Sequence, residues 1–223
     1  MFSPDGNEVF WGTHRETGSI EMHCLKRAED GTWSPKSMPS FHRQNDCSPV
    51  FAADGSRLYF LRNESDRLRM YYSDKIPDGW SDPIALPDAI NSLRPSTTFS
   101  VSSGGDIYFS SEEDIYLAKQ EQGQYAPASK LTSSINSDAR EANPYIARDG
   151  SYLLFARMQG DFYSLMASYR NEAGSWGEPV NLGIGVAPWV TDDGKYLFYM
   201  NMKANSPEPY WIDAEVIEAA KPE

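Results

Sequence analysis

Ala52-Ala53-Asp54-Gly55-Ser56-Arg57-Leu58-Tyr59-Phe60 is the stretch whose reading decides the fold. Asp-Gly supplies the positive-φ position that a tight hairpin needs. The run that follows, aliphatic then aromatic, suits a strand. The phrase recurs as Asp5-Gly6 before Val9-Phe10-Trp11, Ser103-Gly104 before Ile107-Tyr108-Phe109, Asp149-Gly150 before Leu153-Leu154-Phe155, and Asp193-Gly194 before Leu197-Phe198-Tyr199. The glycines at 6, 55, 104, 150 and 194 are 49, 49, 46 and 44 residues apart. A period of that length, built from strands and turns, is the signature of a β-propeller.

Working outward, each unit reads as four strands. The innermost enters through a proline: Ser48-Pro49-Val50-Phe51, Asn143-Pro144-Tyr145-Ile146, Ala187-Pro188-Trp189-Val190. The second strand is the run after the glycine. The third carries its own aromatic pattern, as in Arg69-Met70-Tyr71-Tyr72, Asp114-Ile115-Tyr116-Leu117 and Tyr210-Trp211-Ile212. An outer strand is marked by an aromatic and a proline: Trp33 with Pro35, Trp80 with Pro83, Tyr125 with Pro127, Trp176 with Pro179. Proline lacks a ladder donor and belongs on such an edge.

The spacing therefore predicts an all-β chain, one domain over 1–223: a five-bladed β-propeller of four-stranded antiparallel blades, divided near 1–40, 41–88, 89–133, 134–183 and 184–215. The fifth unit lacks an outer strand and ends in a tail, 216–223, read as a short polar helix or a frayed end. Met1 falls inside the first innermost strand. Either the last blade is three-stranded, or the natural chain begins upstream of Met1; the second is the expectation, and a long upstream segment makes a six-bladed ring the alternative. A ring left open exposes an edge strand ready to pair with another chain.

Composition narrows the partners. The 13 Tyr, 10 Phe and 6 Trp suit strands that pack rings across a pleated surface. A formal net charge of -12 argues against nucleic acid, whose affinity rests on Lys and Arg neutralising phosphates. No run approaches the roughly 18 apolar residues of a membrane helix, and no signal peptide opens this sequence. Cys24 and Cys47 are too few for a disulfide framework and read as thiols.

The repeated phrase resembles the WD40-like β-propeller repeat family, best known from TolB-type propellers, whose pattern runs Pro-x-Phe-Ser-Pro-Asp-Gly-Lys-x-Leu-Tyr-Phe. It is matched by Phe2 to Gly6, Pro49 to Phe60, Pro144 to Phe155 and Pro188 to Tyr199. Trp176 to Gly183 and Tyr210 to Ala214 look like a bacterial subgroup of single-domain exported propellers. The resemblance implies a periplasmic or extracellular protein that binds or scaffolds, and it brings no shared catalytic residues.

A propeller binds where loops crowd the channel mouth. Here those are the loops into the innermost strand, 39–47, 88–97, 134–143 and 183–187, and those joining second to third strands, 12–18, 62–67, 110–113, 157–161 and 201–208. Their cations are Arg15, Arg43, Arg62, Arg67, Arg94, Arg140, Arg157 and Lys203, nearly all arginine. That bias points to an anionic or carbohydrate ligand held by bidentate guanidinium and aromatic contacts. The ligand-binding candidates are Arg43, Asp46, Arg94, Arg140, Glu141, Asn143 and Trp189, just before or within innermost strands. No cofactor, nucleophile elbow or phosphate loop is present, and His14, His23 and His42 have no metal spacing. The leading expectation is a non-enzymatic module for a partner protein or an anionic or carbohydrate ligand. The competing one is a glycan-active hydrolase or lyase using channel carboxylates from different blades, such as Asp46 and Glu141, or a metal; nothing in the sequence fixes the distance between the two carboxyls.

Overall fold

The computed structural model describes residues 1–16, 18–65, 67–201 and 208–222, with Thr97 by its backbone alone. The chain forms two compact units, Met1–Pro95 and Ser96–Glu223. In the first, β1 (Glu8–His14) pairs with β2 (Ile20–Lys26). Next come β3 (Asp46–Phe51), β4 (Arg57–Glu64) and β5 (Arg67–Ile76), which pair in that order. The short strands β6 (Gly79–Trp80) and β7 (Ile84–Ala85) both add to β5. The helical turn α1 (Asp88–Asn91) closes the unit.

In the second unit, β8 (Pro95–Val101), β9 (Ile107–Ser111) and β10 (Asp114–Ala118) are followed by a hairpin, β11 (Gln120–Glu121) with β12 (Gln124–Tyr125), and by β13 (Ser129–Lys130) on the outer side of β10. The next sheet is β14 (Glu141–Ile146), β15 (Tyr152–Gln159), β16 (Phe162–Tyr169) and β17 (Val180–Ile184). The last has three strands, β18 (Val186–Val190), β19 (Tyr196–Asn201) and β20 (Glu208–Asp213), before helix α2 (Glu215–Ala219). Sheet follows sheet in chain order, each antiparallel and meandering from inner to outer strand, which is the propeller arrangement. The first sheet departs from the four-strand expectation: β1 and β2 are extended only by bridges, Phe2 to Val9 and Cys24 to Ser37.

The hairpin turns fix the register. Each Asp carboxylate accepts the N–H two residues on: Asp5 from Asn7 at 3.1 Å, Asp54 from Ser56 at 3.0 Å, Asp149 from Ser151 at 3.0 Å, Asp193 from Lys195 at 3.2 Å. Hydrogen bonding holds all four carboxyls below the usual carboxylate range. The third unit corrects the expectation of Gly104. The glycine that closes the turn is Gly105, at φ 86°, donating to the Ser102 carbonyl at 3.0 Å as Gly55 does to Ala52. A residue with a Cβ is strained there.

The marker aromatics are also placed differently. Trp80 lies in β6 and Tyr125 in β12, while Trp33 and Trp176 make bridges to Arg27 and Arg170. All four close a hairpin beyond the third strand, and the outer strand starts after the proline. From the hairpin two of the rings reach the preceding sheet: Trp80 meets Phe10 at 5.9 Å and 88°, and Trp176 meets Tyr108 at 6.4 Å and 83°. Burying such rings contributes about 2 kcal/mol each. The tail is not frayed. Ile217 of α2 is 2% exposed in a cluster with Leu154, Tyr169 and Leu197, and the Tyr169 hydroxyl donates to its carbonyl.

Two buried asparagines tie outer connections to third strands. Asn91 accepts from the Met70 N–H at 2.8 Å and donates to the Met70 and Leu86 carbonyls at 3.1 and 2.7 Å. Asn136 does the same with Ile115 and Leu131, at 2.8, 3.0 and 3.0 Å. Asn91→Ala or Asn136→Ala strands buried backbone groups and is expected to cost about 2–3 kcal/mol, read as a lower urea midpoint at unchanged m.

Candidate functional site

Two of the seven candidates are buried carboxylates, and each is matched by an arginine directly across the sheet. Asp46 stands opposite Arg62, and Glu141 opposite Arg157. Asp46, fully buried, accepts from Arg62 Nε at 2.7 Å, Arg62 Nη2 at 2.9 Å and the Arg43 N–H at 2.8 Å. Glu141, 1% exposed, accepts from Arg157 Nε at 2.7 Å and from the Ser137 hydroxyl and N–H at 2.6 and 3.1 Å. Both guanidiniums also donate to the incoming loop: Arg62 to the Phe41 carbonyl at 3.4 Å, Arg157 to the Ile135 carbonyl at 2.8 Å. Burial works against the Arg62 charge, and hydrogen bonding and attraction from Asp46 still raise its pKa. Each pair thus pins the loop that enters an innermost strand.

Those strands share a second device. Ser48, Asn143 and Ala187 sit at φ 53°, 54° and 51°, just before the inner proline, where the register shifts by a bulge. Asn143 donates from Nδ2 to the Thr98 hydroxyl at 2.9 Å, and its N–H meets Ser110 Oγ at 3.1 Å, linking β14 to the sheet before it. Trp189, half-buried, packs on its cross-strand partner Phe198 at 5.4 Å.

Arg43, Arg94 and Arg140 are exposed, and among the described residues none has a carboxylate partner. Within the first unit Arg43 follows His42 and precedes Asp46 on one loop; within the second Arg140 precedes Glu141. Lys203 and loop residues 202–207 lie outside the described residues. Among the described residues no three His, Cys, Asp or Glu side chains converge to hold a metal. Cys24 and Cys47 are free thiols, and burial pushes the Cys47 thiol up.

Sequence reasoning missed the inner arginines' role, although Asp46 to Arg62 and Glu141 to Arg157 share one spacing. His23 and His42, weighed from sequence only as metal ligands, stand instead beside carboxylates of the first unit. His42 Nδ1 lies 3.7 Å from Asp46 Oδ2 without a hydrogen bond, and His23 Nε2 lies 3.7 Å from Glu21. Desolvation holds both imidazoles below the usual histidine range, with Lys36 adding to the effect on His23.

With fold and site in view, the molecule has a β-propeller fold like that of solved TolB structures. It superposes on TolB from Acinetobacter baumannii with a TM-score of 0.67 at 15% identity, covering 97% of this chain and 51% of TolB. A chain of a nidogen–laminin complex gives 0.62 at 11% identity, covering 94% of this chain and 74% of that one. A chain of hydrazine synthase from Kuenenia stuttgartiensis gives 0.55 at 17% identity, covering 95% and 61%. The chain thus spans about half the length of that TolB. No family model matches the sequence, and no curated protein matches it.

Two outcomes are expected from the buried groups. Asp46→Ala leaves Arg62 buried without its anion and should cost about 3–5 kcal/mol, most of it recovered when Arg62→Met is added; chemical unfolding of the single and double variants measures this. The histidines set a pH dependence. Their folded pKa lies below the unfolded value of about 6.5, so the unfolded chain binds more protons, and stability falls as pH drops through that value. Thermal unfolding between neutral and mildly acid pH should lose part of that slope in His42→Gln.

Proposed function

We propose that this chain is a non-enzymatic binding or scaffold module: one domain, a five-bladed propeller with an incomplete last blade, engaging a partner protein or an anionic or carbohydrate ligand on its loop face. The observation that carries this reading is the division of labour between arginines. Arg62 and Arg157 are spent on Asp46 and Glu141 inside the sheets. Arg43 and Arg140, held on the same pinned loops, point their charge to solvent, and Arg94 is exposed on another. Guanidiniums fixed at their base and free at their tip suit bidentate contact with carboxylate or sulfate groups, or with sugar hydroxyls. Trp189 adds an aromatic surface on an innermost strand.

The competing glycan-active reading needs a carboxyl free to give or take a proton. Asp46 and Glu141 already accept from arginine and from the backbone, which favours the binding reading. The fold is shared with a chain of a protein complex and with a chain of a named enzyme, so it fits either, and the site carries the choice. A periplasmic or extracellular location accords with the TolB-like fold.

Acidic and neutral oligosaccharides, screened both by thermal shift and by product release, test this. Acidic glycans should raise the unfolding temperature without turnover. Arg43→Ala and Arg140→Ala should each weaken binding by roughly tenfold while leaving the fold intact. Turnover of any substrate overturns the non-enzymatic reading; full binding by both variants overturns the loop face.

A further inference from the structure

We propose that the corner formed by Tyr196, Trp211 and Asp213 on the last sheet is a docking site for a guanidinium group, presented by an arginine of a partner polypeptide. The repeat supplies the precedent. In the second sheet Arg57 stands opposite Asp74, and Tyr59 opposite Tyr72. The Arg57 guanidinium donates to Asp74 Oδ1 at 2.6 Å and Oδ2 at 3.2 Å, and its Cζ lies 3.8 Å from the Tyr72 ring centroid. A carboxylate and an aromatic face together hold one arginine.

The same register in the last sheet puts Tyr196 opposite Asp213 and Phe198 opposite Trp211. The carboxylate is kept, and the ring becomes tryptophan, the best cation–π partner among side chains. The arginine is missing, with Tyr196 at its position. Tyr196 stands edge-on to Trp211, centroids 5.1 Å apart at 90°, so the two rings make a right-angled corner. Trp211 is 61% exposed, whereas its counterpart Tyr72 is half-buried.

Beside the corner lies a cavity of about 340 Å³ lined by Gly194, Lys195, Tyr196, Asp213 and Glu215. Its one cation is directed elsewhere, Lys195 Nζ to Asp193 at 3.1 Å. Asp213 Oδ1 accepts the Glu215 N–H at 2.9 Å, and among the described residues no cation pairs with Asp213. Glu215 adds a second carboxylate. Planar stacking combined with two-point carboxylate contact selects guanidinium over ammonium. The chain's net charge of -12 works against a second copy as donor and for a basic segment of another protein. The corner lies by the Asp193-Gly194 turn, at the opposite end of its sheet from loop 183–187, and does not depend on the loop-face reading.

The test titrates the whole chain with a capped Gly-Arg-Gly-Arg-Gly peptide and its lysine counterpart, following the indole N–H resonance of Trp211, assigned with Trp211→Phe. The arginine peptide should shift that resonance saturably and bind several-fold more tightly than the lysine peptide. Asp213→Asn should weaken it roughly tenfold. Tyr196→Arg rebuilds the Arg57 arrangement and should abolish peptide binding by filling the corner from within, with thermal unfolding no lower than that of the parent. Absence of a saturable shift at millimolar peptide, equal affinity for the lysine peptide, or undiminished binding to the Tyr196→Arg chain would each overturn the proposal.

Discussion

A guanidinium buried against a carboxylate at the mouth of an inner hairpin holds the rest of the site in place. Asp46–Arg62 and Glu141–Arg157 each join the first residue of an innermost strand to the second strand and, through the second guanidinium nitrogen, to the loop outside. Removing a charge from water is costly unless it is paired and its remaining hydrogen-bonding positions are filled. Both pairs meet that condition, the carboxylates through backbone N–H groups and the arginines through loop carbonyls. The cost of breaking them is what keeps loops 39–47 and 134–143 in one conformation, although their tips carry exposed arginines.

That arrangement also explains the bulge that follows. A carboxylate must turn inward at one position and a proline must enter the strand three residues later. An extra residue at positive φ reconciles the two, and Ser48 and Asn143 occupy it at nearly equal angles. Ala187 holds the same angle in the last sheet, where Gly185 stands at the position of Asp46 and Glu141 and supplies no carboxylate. The backbone device therefore outlasts the electrostatic one.

Much of this was legible in the sequence, and the limits are physical. Asp-Gly turns followed by aromatic strands are local, so the hairpins and their order could be read directly. Gly105 could not, because the turn in Ser102-Ser103-Gly104-Gly105 contains two glycines and only the hydrogen bond to Ser102 tells them apart. The outer-strand prolines are legible too, but their aromatic companions belong to a separate hairpin, from which Trp80 and Trp176 reach the preceding sheet, a contact that depends on packing. Asn136-Ser137 reads locally as turn chemistry, and the buried ties of Asn91 and Asn136 are not local, although Leu86-x-x-x-Ile90-Asn91-Ser92 and Leu131-x-x-x-Ile135-Asn136-Ser137 repeat one phrase. The site candidates rest on position along the loops. Position alone could not separate Asp46, neutralised from across the sheet, from Arg43, which is not.

One position in the repeat makes the same point. Where second and third strands pair nearest the Asp-Gly turn, the first sheet places Glu8 against Lys26, at 3.6 Å, and the second reverses the charges as Arg57 against Asp74. The fourth sheet uses Tyr152 against Tyr169, two rings that burial can accommodate without charge. The last sheet has Tyr196 against Asp213, half of each solution. In a repeat, neighbouring copies act as controls for one another, since backbone and register are held nearly constant while side chains vary. A carboxylate that keeps its aromatic neighbour and loses its cation is then a measurable departure from a pattern the same molecule satisfies elsewhere. The departure sits on exposed surface, where an unpaired carboxylate costs little stability, so selection for folding alone gives no reason to complete the pair from within the chain.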